Sequence, residues 1–138
     1  MGARLGDALV LNDDYIGKFD YVLCDVPCSG MGIVRRKPEI KYKKEEEVEN
    51  LPDLQYQILE NASSYLKEGG ILIYSTCTIF KQENTDVVDR FLNNHKDFDL
   101  DDLGPIKEFL GIGDKGLVKI LPDRYEMDGF FISRMKKI

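Results

Sequence analysis

Phe19-Asp20-Tyr21-Val22-Leu23-Cys24-Asp25-Val26-Pro27-Cys28-Ser29-Gly30 is the stretch on which the reading of this 138-residue chain turns. Residues 21–25 read as a buried strand that ends on a carboxylate. Pro27 lacks a ladder donor and stops the strand, and Ser29-Gly30 supplies the turn behind it. Open α/β sheets bind ligands outside the carboxyl ends of their strands. The strand is therefore expected to deliver Asp25 and Cys28 to a reactive corner, with Cys24 packed inside it.

Beyond this corner, residues 27–53 form a long Gly- and Lys-rich segment, the kind of loop that is functional or disordered. A helix is predicted over 54–67, with Pro52 and Asp53 at its start. Its apolar face comprises Leu54, Ile58, Leu59, Ala62, Tyr65 and Leu66, and Gly69-Gly70 ends it. Residues 71–77 (Ile-Leu-Ile-Tyr-Ser-Thr-Cys) form a second buried strand, again ending in a cysteine. The strand–helix–strand order predicts a crossover to a parallel neighbour. Asn84 or Thr85 is expected to cap a helix to about residue 93, with Val87, Val88, Phe91 and Leu92 inward. Residues 97–116, acidic and then Gly-rich, read as loop. Residues 117–121 and 129–134 read as two final strands. Upstream, Gly6-Asp7 makes a turn before a short apolar run, and Asn12-Asp13-Asp14 makes a polar one. The result is an α/β domain with two parallel strands and a terminal strand pair, and no internal repeat.

Composition narrows the class. With 43% hydrophobic and 32% charged residues, the chain is ordinary for a soluble globular domain. No run reaches the ~18 apolar residues of a membrane helix, and no secretory signal opens the sequence. Three cysteines, no C-x-x-C and the single His95 speak against a disulfide framework and against a metal site. A reducing cytoplasm is the expected setting. The net charge of −6 disfavours a polyanion, but it averages over a dipole. The stretch from Arg35 and Arg36 through Lys41 to Lys44 is densely basic, while Glu45-Glu46-Glu47 and residues 97–102 carry the opposing charge. Local field decides where a phosphate sits.

Cys28 and Cys77 lie just past the ends of strands that should be neighbours, with Asp25 between them if the pairing holds. Two thiols and a carboxylate in one crevice suit covalent chemistry, since the thiolate is a nucleophile whose pKa falls near cations or helix starts. The basic loop or the helix start near Asn84 is expected to provide that effect. A purely packing role for either cysteine is the plain alternative.

Asp25-Val26-Pro27-Cys28-Ser29-Gly30-Met31-Gly32, followed by Arg35-Arg36-Lys37-Pro38-Glu39-Ile40-Lys41, resembles the D-x-P-C-S-G-x-G…R-R-x-P-[DE]-x-K signature of S-adenosylmethionine-dependent RNA cytosine-C5 methyltransferases. Ser75-Thr76-Cys77-Thr78 with Glu83-Asn84 is similar to that family's T-C-[ST]…x-E-N motif, and Asp128-Gly129-Phe130-Phe131 to its terminal D-G-F-F. The nearest likeness is to the Sun/Fmu-type enzymes acting on 16S ribosomal RNA. The resemblance implies that Cys77 attacks C6 of the target cytosine and that Cys28 assists C5 proton loss and product release. It implies that Asp25 hydrogen-bonds the ring edge. Asp7, Asp25 and Pro27 are implied to contact S-adenosylmethionine, and Arg35, Arg36 and Lys41 to contact RNA.

The family's Gly-rich cofactor turn and the acidic residue of its second strand are missing from these residues. Residues 1–138 are therefore expected to be the C-terminal portion of a catalytic domain. In fold terms this is an incomplete Rossmann-like class I methyltransferase sheet, strands 4 to 7 of the order 3-2-1-4-5-7-6, without the N-terminal cofactor-binding strands. The strand from Tyr21 to Asp25 then becomes an edge prone to self-association. Such a chain is expected to be inactive alone. A non-catalytic RNA- or partner-binding module derived from this fold is the alternative. A thiol redox or acyl-transfer protein is disfavoured, because no His accompanies either cysteine.

Overall fold

The computed structural model describes residues 2–30, 49–104, 116–120 and 129–138. The deciding stretch forms β1 (Phe19–Asp25). It is followed by helix α1 (Leu51–Ser64) and β2 (Leu66–Thr76). Then come helix α2 (Thr85–Asn94), β3 (Phe98–Leu100), β4 (Leu117–Ile120) and β5 (Phe130–Lys137). The strands make one sheet in the order β1-β2-β5-β3, and β4 also pairs with β5. β1 and β2 are parallel. β5 runs antiparallel to β2, β3 and β4. This is the α/β arrangement expected for strands 4, 5, 7 and 6 of a class I methyltransferase sheet.

Residues opposite one another across strands share a face, so the register sorts the side chains. Cys24, Leu72, Tyr74, Phe131 and Met135 join Tyr56, Leu59 and Ala62 of α1 and Val87, Val88 and Phe91 of α2 in the main core. The other face carries a smaller cluster of Leu103, Val118 and Ile120, against which Phe130 and Ile132 pack.

Three expectations need correction. Helix α1 ends at Ser64, and Gly69-Gly70 lies inside β2 rather than closing the helix. Between the pairs Phe19–Leu66 and Tyr21–Ile71 the register shifts, so β2 bulges there. Gly69 takes φ +77°, and a side chain at Gly70 would meet the Leu66 side chain at 2.8 Å and the Lys67 carbonyl at 2.9 Å. Both glycines are thus bulge residues. Second, the buried face of α1 is rotated from the expected one. Gln55, Tyr56, Leu59, Ala62 and Ser63 are buried, while Leu54 and Ile58 are only partly covered. A polar Gln55 broke the apolar pattern. Third, residues 98–100 were read as loop and form β3, too short and too acidic for a period of two to register. The predicted strand pair and the inward face of α2 are as expected, with Leu92 partly buried.

β1 has a hydrogen-bonded neighbour on one side only among the described residues. Contrary to the expectation of a buried strand, only Cys24 of its seven residues is buried; Tyr21 is 73% exposed and Leu23 69%. An apolar, unpaired edge is a template for another chain. We expect the chain to self-associate, with sedimentation velocity showing species larger than one chain as concentration rises. Leu23→Lys, which puts a charge on that edge, should shift the distribution toward single chains. A monomer at all concentrations, with β1 amides protected from exchange, would contradict this.

Candidate active site

The site is built where β1 and β2 end side by side. Their last pair is Asp25–Ser75, and each chain continues for a few residues to a cysteine. The two sulfurs lie 2.9 Å apart, and the Cys77 amide donates to the Cys28 sulfur at 3.3 Å. All three cysteines are reduced; Cys24 is buried, and Cys28 and Cys77 are half-buried.

Asp25 is placed differently from the expected position between the thiols. It sits in a cross-strand row with Ser75 and Ile132, on the sheet face away from α1 and α2. It is exposed, and Ser75 donates its hydroxyl to it at 2.9 Å. The neighbouring row, Cys24 and Tyr74, faces the helices.

The expected lowering of thiol pKa is absent at Cys28. Burial first, and then the hydrogen bond to Cys77, push its thiol up to about 12. Cys24, as expected, packs in the core, and burial followed by the charge of Asp25 raises it to about 12 as well. The Asn84 side chain does not cap α2: it accepts from the Thr76 hydroxyl at 2.6 Å and donates to the Thr78 carbonyl at 3.0 Å.

Behind the thiols lies a polar cluster to which the motifs assign no role. The Glu83 side chain accepts from the Ser29 amide at 2.7 Å and from the Ser29 hydroxyl at 2.7 Å. It also accepts from Gln55 at 3.0 Å and from the Thr78 hydroxyl at 3.0 Å. Gln55 donates to the Pro27 carbonyl at 2.9 Å, and the Tyr74 hydroxyl donates to the Glu83 carbonyl at 2.5 Å. A buried carboxylate is tolerable only when hydrogen-bonded, and this one is saturated with donors. The signal was present: Ser29, Thr78 and Glu83 each stand within the quoted motifs, and Gln55 interrupts an apolar helix face.

Asp7 closes its own turn, accepting from the Leu9 amide at 2.9 Å. It lines an open cavity of about 670 Å³ with Arg4, Tyr15 and Tyr65. An adjoining cavity of about 360 Å³ shares Ala8, Tyr15 and Tyr65 and is bordered by Leu23, Cys24 and Asp25. The structure thus places Asp7 and Asp25 on two hollows that share Ala8, Tyr15 and Tyr65. Pro27 is exposed at the end of β1. Arg35, Arg36, Lys41 and Asp128 lie outside the described residues. Among the described residues, no group of three or more His, Cys, Asp or Glu could hold a metal, and no helix is long and apolar enough to cross a membrane.

Fold and motifs together define part of a class I methyltransferase domain. Residues 5–136 match the family described as 16S rRNA methyltransferase RsmB/F, and the chain belongs to that family. It is 42% identical over 125 residues to the probable ribosomal RNA small subunit methyltransferase B of Bacillus subtilis (strain 168), covering 87% of this chain and 28% of that protein. The crystal structure of PH0851 superimposes with a TM-score of 0.78 at 34% identity, over 88% of this chain and 27% of that one. NSun6 from Pyrococcus horikoshii, solved with SFG, superimposes with a TM-score of 0.69 at 26% identity, over 83% of this chain and 29% of its own. The chain spans about 28% of the length of the curated relative from Bacillus subtilis.

Because the Cys28 thiol titrates high, its alkylation by iodoacetamide should keep accelerating with pH above 9, the ordinary cysteine value. Peptide mapping across pH 7 to 11 checks this, and a plateau near pH 9 for Cys28 would contradict the burial effect.

Proposed function

We propose that residues 1–138 are the C-terminal portion of a catalytic domain that methylates C5 of a cytosine in ribosomal RNA in the cytoplasm. The observation that carries the reading is the Cys28–Cys77 pair at 2.9 Å, held at the ends of two adjacent parallel strands. A cytosine C5 is a poor nucleophile while the ring is aromatic. Addition of the Cys77 thiolate to C6 makes C5 an enamine carbon that can attack an electrophilic methyl. S-adenosylmethionine supplies that methyl when bound. Loss of the C5 proton to solvent, assisted by Cys28, and elimination of Cys77 from C6 then restore the ring. Burial keeps the Cys28 thiol protonated, which disfavours it as the attacking group and supports Cys77 in that role. Asp25, exposed at the strand end and held by Ser75, is free to meet the ring edge and favour N3 protonation. The base must be unstacked to reach all three groups. Arg35, Arg36 and Lys41 hold the RNA backbone.

The residues present fit one side of S-adenosylmethionine. Asp7 and Asp25, with Tyr15 and Tyr65 lining both hollows, offer carboxylates and aromatic surface to the adenine end, and Pro27 stands exposed at the end of β1. That NSun6 was solved with SFG, an analogue of this cofactor, supports the assignment. The methionine end needs a Gly-rich turn at a helix start, and among the described residues neither helix begins on one. The isolated chain should accordingly bind S-adenosylmethionine weakly or not at all by calorimetry; micromolar binding would show that the site is already complete here.

In the longer protein, RNA carrying 5-azacytosine should form a covalent adduct that survives denaturation and is abolished by Cys77→Ser. Cys28→Ser should instead accumulate an adduct with ordinary cytosine RNA, because release is blocked. Retained RNA binding without any adduct would favour the non-catalytic module.

A further inference from the structure

The buried cluster behind the thiols is left unused by this chemistry, and its geometry points to one residue. Glu83 is 1% exposed and stands on a 3-10 turn just before α2, outside both strands. Yet the groups it binds are the immediate chain neighbours of the two cysteines. Ser29, which follows Cys28, gives it both an amide and a hydroxyl. Thr78, which follows Cys77, gives it a hydroxyl. Gln55 gives it an amide proton while binding the carbonyl of Pro27, the residue before Cys28. Ser29 and Thr78 also touch directly, at 2.8 Å.

We infer that Glu83 is the positioning residue of the thiol pair, fixing the Cys28–Cys77 separation by gripping the residue after each cysteine without touching either sulfur. Strand pairing alone does not do this. The ladder between β1 and β2 ends at Asp25–Ser75, and both cysteines lie beyond it on turns. The Val26 amide makes one further bond to the Ser75 carbonyl. Past that point the two turns are joined by the sulfur contacts and by this cluster. A carboxylate suits the task because its two oxygens accept several donors at once, and hydrogen bonds to an ionised acceptor are shorter and stronger than neutral ones. The role matters for catalysis only if the proposed function holds, but the placement of the thiols can be read without methyl transfer.

Phenylarsine oxide supplies that reading. Its arsenic–oxygen bond breaks, two arsenic–sulfur bonds form, and the oxygen leaves as water with both thiol protons, so capture requires two thiols held close together and involves no redox change. The native chain should take up the reagent at Cys28 and Cys77. Glu83→Ala should weaken capture by about tenfold, since small misplacements of reacting groups are costly, and Glu83→Gln, which keeps one oxygen acceptor, should lose roughly threefold. Phe91→Leu, a core change where the ring packs against His95 and Phe98, should lower the thermal midpoint and leave capture intact. If Glu83→Ala does not fold, Ser29→Ala decides, through a smaller loss of capture in a folded chain. Native-like capture in the deciding variant overturns the assignment, as does an equal loss in Phe91→Leu. Weakened capture in the Glu83 series, together with no RNA adduct in the native longer protein, would retain Glu83 as the positioning residue and remove the methyltransferase role of the thiols.

Discussion

The site depends on the register between β1 and β2. Side chains alternate from face to face along a strand, so a slip of one residue would exchange every partner. Asp25 would then meet Tyr74 rather than Ser75, and Cys24 would leave the core. The bulge at Gly69-Gly70 lies at the opposite end of the same ladder. It takes up the extra residues of β2 before the regular pairing begins at Tyr21–Ile71. Lys67 and Asp20 add an ion pair beside it, at 3.2 Å and well exposed, which contributes little on its own. What holds the register is burial: Leu72 and Tyr74 are completely covered by the helices, and neither tolerates the other face.

Past the ladder, order is maintained by polar groups instead of apolar ones. Ser29, Thr76, Thr78, Glu83 and Asn84 are all essentially buried, which is unusual for these residue types. Each is hydrogen-bonded, so the desolvation cost is offset within the cluster. Gln55 Oε1 is an exception, a buried atom without a partner. Its amide nitrogen is already committed to both Pro27 and Glu83, and turning the group over would forfeit those two bonds to satisfy one atom.

Most of the architecture was legible because apolar periodicity and Pro/Gly punctuation agree with it. The strand at Tyr21, the strand at Ile71 and the helix at Val87 carry strong, unmixed patterns, and the motif resemblance led to the family that residues 5–136 match. The failures have particular causes. Gly69-Gly70 signals a helix stop and a strand bulge equally well, and only pairing distinguishes them. Gln55 carries no signal of burial, because a polar side chain on a helix normally marks the solvent face. β3 is held by its pairing with β5 more than by its own three residues. At the site, the proximity of the two cysteines followed from strand adjacency. The face on which Asp25 stands did not, because that requires the register. The elevated Cys28 thiol was likewise invisible, as it comes from burial by segments distant in sequence.

β5 sits between β2 and the short strands β3 and β4, although it is the last strand along the chain. The central ladder of the sheet is thus closed by residues made well after β2, across a stretch that includes α2, β3 and β4, and closures of that kind are slow relative to local helix formation. During synthesis, β1, α1 and β2 can associate first as a strand–helix–strand unit. That unit has one edge of β2 still open and Tyr74 lacking the ring of Phe131 against which it later rests. The thiol turns and Glu83 are all encoded before β5, so the corner that holds the two cysteines can assemble before the sheet that supports it is complete.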